Sequence, residues 1–308
     1  MRKLYLGLDT SNYKTSAGLY CPEDGSFRAC GKLLEVPLGT LGLRQSDALF
    51  QHVRQLPEQV KAACRELEGQ IVAIGVSSRP RDLEDSYMPC FLAGLCVAQC
   101  LGAAMDVPVY EFSHQQGHLA AAAFSVDKPD LLKTPFLAWH LSGGTTEFLR
   151  VEPSAERIIR EDIIGGTRDI SAGQLIDRVG VALDMPFPAG PYVEQAALQS
   201  DSRDFFRVKV QDCAFSLSGV QNQYEARIKA GERREDVCRF VLNTVAQTIL
   251  KATKNARKAE KLPVLISGGV SVCSLVQEAF AKEPDLWFAQ KGLGGDNAVG
   301  AAILASMR

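Results

Sequence analysis

The sequence has almost no excess of charge of either sign. Its 34 Lys and Arg face 36 Asp and Glu, a net charge of −2 over 308 residues. A chain-wide positive field for nucleic acid is therefore excluded, although a local basic patch is not. Aromatic residues make up 7%, with two Trp, and there are only four His. A charged share of 23% beside a hydrophobic share of 46% excludes intrinsic disorder. The nine cysteines are an odd number and none are spaced as CxxC. Cys90, Cys96 and Cys100 sit in an apolar stretch, where cysteine acts as a small hydrophobe, so a reducing compartment is expected. The most apolar stretch, 88–105, is broken by Gln99 and flanked by Asp106, and so predicts a buried helix rather than a membrane span. The run after Met1-Arg2-Lys3 is cut at Asp9, too soon for a signal peptide. Together these features predict a cytoplasmic protein. A chain of this length buries roughly three quarters of its unfolded surface and needs no disulfide or metal staple.

The pattern along the chain repeats. Residues 3–9, 15–20 and 26–36 predict strands, the first two joined as a hairpin through Thr10-Ser11-Asn12. A helix follows over 46–68, with Leu49, Phe50, Val53, Leu56 and Val60 at helical spacing. Then come a strand at 71–77, a helix at 90–104, a strand at 107–111 and a helix at 114–124. The order restarts with strands at 136–141, 146–151 and 157–161. Helices are expected at 169–183, 191–199, 218–229 and 234–260, a strand at 264–266, a helix at 270–282, a strand at 286–289 and a closing helix at 296–307. Two βββαβαβα halves predict a two-lobed α/β protein with a central cleft, the kind of place that ligands favour. The lobes are expected at 1–112 and 113–308. The second carries a helical insertion at 169–260, and the closing helix 296–308 is a candidate to pack on the first.

Three small-residue turns follow apolar strands: Asp9-Thr10-Ser11-Asn12, Ser142-Gly143-Gly144-Thr145-Thr146 and Ser267-Gly268-Gly269-Val270-Ser271. Glycine lets backbone N–H groups approach an anion, and the third turn also opens a helix. Thr10, Ser11, Lys14, Gly268 and Gly269 are thus candidate phosphate contacts. None of the turns is a P-loop or a GxGxxG motif.

His114 and His118 stand four apart and share a helical face, so both imidazoles can bind one metal. Gln115 occupies the place where a zinc peptidase needs its glutamate base. By the repeat, Asp296 opens the matching helix of the second half, completing a His, His, Asp set suited to iron or zinc. Asp169, Gly173 and Asp177 line one helical stripe, where carboxylates can accept hydroxyl hydrogen bonds. A solvated acidic face is the plainer alternative. Lys251, Lys254, Arg257, Lys258 and Lys261 crowd one helix end. Complementing the helix dipole is their simpler explanation, and RNA phosphate contact the other.

Taken together, these segments resemble the tRNA adenosine threonylcarbamoyltransferase family, of actin/hexokinase/Hsp70-like fold. The resemblance runs through Leu6-Gly7-Leu8-Asp9-Thr10-Ser11, His52-Val53-Arg54-Gln55-Leu56-Pro57 and His114-Gln115-Gln116-Gly117-His118. It continues through Leu141-Ser142-Gly143-Gly144, the Asp169/Gly173/Asp177 stripe, Pro188-Ala189-Gly190-Pro191, Phe215-Ser216-Leu217-Ser218-Gly219, Ser267-Gly268-Gly269-Val270-Ser271 and Asp296-Asn297.

The resemblance implies one divalent metal, iron ahead of zinc, on His114, His118 and Asp296. It implies contact of threonylcarbamoyl-adenylate with Leu141, Ser142, Gly143, Gly144, Thr145, Asp177, Gly190 and Glu194, and puts Cys273 at a contact position. It implies transfer of the threonylcarbamoyl group to the N6 amine of the tRNA adenine beside the anticodon, with protein partners and no membrane. The chain departs from the family pattern at Tyr13, Lys14, Thr145, Gln174, Gln221, Cys273 and around Ser78-Arg79-Pro80-Arg81. Two alternatives follow. One is a diverged nucleotide- and metal-binding paralogue with another carbamoyl acceptor. The other is a non-catalytic partner of a true family enzyme.

Overall fold

A computed structural model of the chain describes all residues except 12, 37–42, 84, 291 and 293–296. The chain forms two compact units. The first comprises 1–134, 152–160 and 292–308, the second 135–151 and 161–291.

The first unit is built on β1 (Lys3–Asp9), β2 (Lys14–Tyr20), β3 (Phe27–Leu33), β4 (Gln70–Arg79) and β5 (Val109–Ser113), in the order β3-β2-β1-β4-β5. The first three are antiparallel neighbours, and β1, β4 and β5 run parallel. Leu4, Leu6 and Leu8 alternate along β1 into a core shared with Ile74 and Val76 of β4. Helix α1 (Gln45–Ala63) buries Ala48, His52, Leu56 and Ala63. Phe50 and Val53, expected on the inner stripe, are instead 61% and 56% exposed. The buried stripe passes through His52, whose Nδ1 lies 2.8 Å from the Thr15 hydroxyl. Helix α2 (Phe91–Met105) carries the apolar stretch in 15 residues. Among the described residues no helix is long and apolar enough to cross a membrane.

Helix α3 (His114–Ser125), placed by the sequence at the start of the second lobe, belongs to the first unit with the C-terminal helix Asn297–Ser306, α9 in chain order. The two pack backbone to backbone: a Cβ on Gly300 would stand 2.0 Å from the Gly117 carbonyl oxygen. That contact moves the boundary from 112/113 to 134/135.

The second unit contains β6 (Phe136–Leu141), β7 (Thr146–Ser154), β8 (Ile158–Thr167), β9 (Ala214–Phe215), β10 (Val264–Ser267) and β11 (Leu286–Phe288), in the order β11-β10-β6-β7-β8-β9. The tip of the β7–β8 hairpin, 152–160, groups with the first unit. Setting aside the edge strand β9, the order matches that of the first sheet, so the repeat read in the sequence is a repeat of topology. The inserted helices are α4 (Ala172–Ala182), α5 (Gly190–Ala197), α6 (Ser218–Lys229) and α7 (Arg234–Ala259), and α8 (Ser274–Ala279) follows β10. The core centres on Trp139, fully buried and stacked on Phe148 with ring centroids 4.2 Å apart. Its indole N–H donates to the Thr253 hydroxyl of α7 at 2.8 Å, satisfying the one polar atom that its burial would strand.

Candidate functional site

In the first unit, Asp9 ends β1 and His114 follows directly on β5, at the carboxyl end of the parallel strands. Open α/β sheets bind ligands at that end. A capping box fixes the start of α3: Ser113 Oγ accepts the Gln116 N–H, and the Gln116 side chain accepts the Ser113 N–H. His114 Nδ1 donates to Asp9 Oδ2 at 2.9 Å. Asp9 Oδ1 accepts the Ser11 N–H at 3.0 Å and the Ser11 hydroxyl at 2.5 Å. Burial opposes charge on Asp9, but the adjacent His114 and these hydrogen bonds outweigh it and hold the carboxyl well below the usual range.

The rings of His114 and His118 meet edge to face, with centroids 4.5 Å apart. A carboxylate on Nδ1 of a ligating imidazole is the usual way its tautomer and aim are set. Asn297, which follows the expected ligand Asp296, places its amide nitrogen 3.0 Å from His114 Nε2, and its Oδ1 is buried with no hydrogen-bond partner among the described residues. Two imidazoles, one of them anchored by a carboxylate, beside an orphaned buried oxygen fit a divalent metal of intermediate softness. Among the described residues no group of three His, Cys, Asp or Glu is placed to hold a metal, and Asp296 lies outside them.

The second unit encloses a pocket of about 280 Å3 lined by residues from five separate segments. Of the residues read from the sequence it gathers Gly143, Gly173, Asp177, Gly190, Glu194, Gly269 and Cys273. Ile176, Pro188, Pro191, Leu242, Val270 and Val272 supply apolar walls. An apolar slot with a few polar groups suits a small molecule with a flat ring and hydroxyls. Gly143, Gly190 and Gly269 face open space, so backbone is what a ligand would meet there. Gly173 does something else: a Cβ there would sit 2.5 Å from Gly143 Cα and from the Ser142 carbonyl oxygen, so it lets α4 press against the 142–145 loop. The Ser171 hydroxyl donates to the Gly143 carbonyl at 2.7 Å and tightens the same contact.

The carboxylates also hold the walls. Asp177 Oδ1 accepts the Ala189 N–H at 2.8 Å, fixing the turn before α5. Glu194 Oε1 accepts the Ser274 N–H and hydroxyl, both at 2.7 Å, and so ties α5 to the start of α8. Asp169, expected to head a stripe on α4, instead lies in the bend before Ser171, the N-cap of that helix, because it accepts the Leu217 N–H at 2.8 Å and the Ser218 N–H at 3.2 Å and so caps α6. Burial raises its pKa, but these bonds prevail and hold it below the ordinary value. The Cys273 thiol is buried and pushed up to about 11, so it is neutral at pH 7 and no nucleophile.

The remaining expected residues lie outside this pocket. Leu141 is fully buried in the core and Ser142 Oγ accepts the Thr145 N–H at 3.0 Å. Thr10 is buried in the first unit, where its hydroxyl donates to the Cys90 carbonyl and accepts the Gly94 N–H of α2. Lys14 lies along β3, its Cε beside Gly31. A Cβ on Gly268 would lie 2.2 Å from the Leu141 carbonyl oxygen, so this glycine packs the turn onto β6. Gln174 completes a capping box with Ser171. Gln221 Oε1 accepts from the Arg178 guanidinium at 2.9 Å. Of the apolar walls, Pro188, Pro191 and Val270 stand in segments singled out from the sequence, whereas Ile176, Val272 and Leu242, the last far along the chain in α7, gave no sequence signal of their own. Asp9 was visible as the polar end of an apolar strand and the start of the first small-residue turn, but its contact with His114 was not.

Relatives and structural neighbours agree on this architecture. HypF from T. kodakarensis superposes with a TM-score of 0.61 at 12% identity, over 99% of this chain and 47% of its own. A ROK family glucokinase from Streptomyces griseus gives 0.53 at 14% identity, over 99% of this chain and 100% of its own. At such identity the likeness shows the fold alone, which is actin/hexokinase/Hsp70-like. In sequence, a tRNA N6-adenosine threonylcarbamoyltransferase of Thermus thermophilus is 29% identical over 98% of this chain and 92% of its own. That of Halalkalibacterium halodurans is 27% identical over 100% and 91%. The family pattern itself matches residues 46–302. The chain therefore belongs to the tRNA N6-adenosine threonylcarbamoyltransferases, a family of transferases.

Proposed function

We propose that this protein transfers the threonylcarbamoyl group of threonylcarbamoyl-adenylate to the N6 amine of the tRNA adenine beside the anticodon. The observation that carries the reading is the pocket of the second unit, which unites Gly143, Asp177, Gly190, Glu194 and Gly269 from segments far apart in sequence. Its apolar walls suit the adenine, the glycine backbones suit the phosphate, and the carboxylates suit hydroxyl groups of the ligand. In the reaction the amine nitrogen bonds to the carbamoyl carbon, the carbon–oxygen bond to phosphate breaks, and AMP leaves as the amine loses a proton. The residues act by binding and orientation.

His114, His118 and Asp296 would hold the metal, iron ahead of zinc, and Asp9 would fix the His114 tautomer. A metal bound there supplies Lewis-acid polarisation of a carbamoyl or phosphate oxygen. A chain with net charge −2 suits RNA binding that is local or shared with partner proteins. The test is AMP release from threonylcarbamoyl-adenylate. Release that requires unmodified tRNA supports the proposal. Release with another acceptor in place of tRNA favours a diverged paralogue. No release in any mixture, beside an active relative as control, overturns the enzyme reading.

A further inference from the structure

Helix α7 has a second use, on the face turned away from the pocket. Residues 200–212 run along it as an extended strap with almost no regular structure of its own. Side chains of α7 hold that strap. The Arg239 guanidinium donates to the Ser200 carbonyl at 3.2 Å, and Asn243 Nδ2 donates to the Ser202 and Asp204 carbonyls at 3.1 and 3.2 Å. Thr244 Oγ1 accepts the Phe206 N–H at 2.9 Å, and Asn255 donates to the Asp212 carbonyl at 2.8 Å. Between strap and helix lies a groove of about 520 Å3 lined by Phe205, Phe206, Arg207, Lys251, Lys254 and Lys258, with no acidic residue in its lining.

Lys251, Lys254 and Lys258 follow one another at three and four residues and so share a face, in a row roughly 10 Å long. Leu242, which faces the pocket, stands about half a turn around the helix from Lys251. Helix-dipole compensation acts only within the last turn, which holds Arg257 and Lys258. It does not account for Lys251 two turns earlier, or for Arg207 on the strap. Neither of these two side chains has a partner among the described residues. Lys254 reaches Glu283 at 3.0 Å, so the groove keeps at least three uncompensated cations in a protein of net charge −2.

We propose that this groove binds the phosphate backbone of an RNA, with Phe205 offering its partly exposed ring to an unstacked base. A row of cations beside an aromatic ring is the chemistry of single-stranded RNA recognition, whereas an acidic peptide has no use for the ring. The inference rests on the proposed function for the identity of the RNA, and assigns it a contact surface away from the transfer pocket.

The test is filter binding of an unmodified tRNA transcript to the full chain between 50 and 200 mM KCl. Lys251→Glu with Lys258→Glu, both exposed, should weaken binding at least tenfold and flatten the salt dependence by about two counterions. Phe205→Ala should weaken binding about tenfold with the salt dependence unchanged. AMP affinity should stay at the wild-type value in both variants, which also shows that they fold. Unchanged RNA binding by the charge-reversed variant overturns the inference, as does a wild type that prefers poly-glutamate to RNA. The AMP-release assay judges the transfer reading separately: groove-dependent binding without transfer spares the groove and rejects the enzyme, and transfer with unchanged KM for tRNA does the reverse.

Discussion

Gly268 and Gly269 are neighbours, yet alanine at each should do opposite things. At Gly268 the backbone has φ +98°, and a Cβ would fall 2.2 Å from the Leu141 carbonyl oxygen. Left-handed backbone costs a non-glycine residue about 1–2 kcal/mol, and forcing a methyl against backbone adds about 1–3 kcal/mol. Gly268→Ala should therefore lose about 2–5 kcal/mol and lower Tm by roughly 5–10 °C. At Gly269 no described residue stands within 4 Å of the added Cβ. The fold should tolerate Gly269→Ala, with Tm within about 1 °C of wild type or slightly higher. The methyl would occupy ~30 Å3, about a tenth of the 280 Å3 pocket. If the ligand phosphate lies against this turn, the overpacking cost of about 1–3 kcal/mol appears in binding, as roughly 5- to 150-fold weaker AMP affinity. Scanning calorimetry and titration calorimetry with AMP measure the two effects. A Gly269→Ala protein that binds AMP like wild type would refute the assignment of this turn, and an unshifted Tm for Gly268→Ala would refute the packing argument.

Three further outcomes follow from the geometry. Asp169 has its pKa held below the ordinary value, so the stability it adds is present above about pH 3.9 and is lost as pH falls through its folded value. Denaturation at pH 7 should show Asp169→Asn about 1 kcal/mol less stable than wild type, and the gap should narrow as the pH falls below the ordinary carboxylate range. Burial pushes Cys273 up to about 11 and Cys238 up to about 12, whereas Cys96 and Cys100 are exposed. Iodoacetamide at pH 7.5 should label Cys96 and Cys100 and spare the other two, and mass mapping of the labelled peptides checks this. His118→Ala should cut bound iron or zinc from about one per chain to less than a tenth by elemental analysis, with the Asp9–His114 contact and the melting temperature preserved.

The strands and most helices were legible because each is bounded by a turn and carries its own period. The second sheet repeats the order of the first, so the duplication was legible as well. What escaped was set by tertiary contact. The helix expected over 270–282 divides into a 3-10 turn, Gly269–Val272, and the short α8, because Gly268 turns the chain and Glu194 pins Ser274. The 200–212 strap has no period, since α7 side chains rather than a ladder satisfy its backbone. The pair formed by Asp9 and His114, 105 residues apart, depends on β1 and β5 sharing a sheet. The pocket residues that sequence did supply were those on turns and helix starts. Of its apolar walls, Ile176, Leu242 and Val272 look like any core residues until the fold collects them.

The most direct test is nucleoside mass spectrometry of an unmodified tRNA after incubation with the purified protein, threonylcarbamoyl-adenylate, iron and the partner proteins of an active relative. The account predicts threonylcarbamoyladenosine at the adenine beside the anticodon, abolished by His118→Ala and reduced by Gly269→Ala. Unmodified tRNA from a folded, AMP-binding protein, in a mixture where the active relative makes the product, would contradict it.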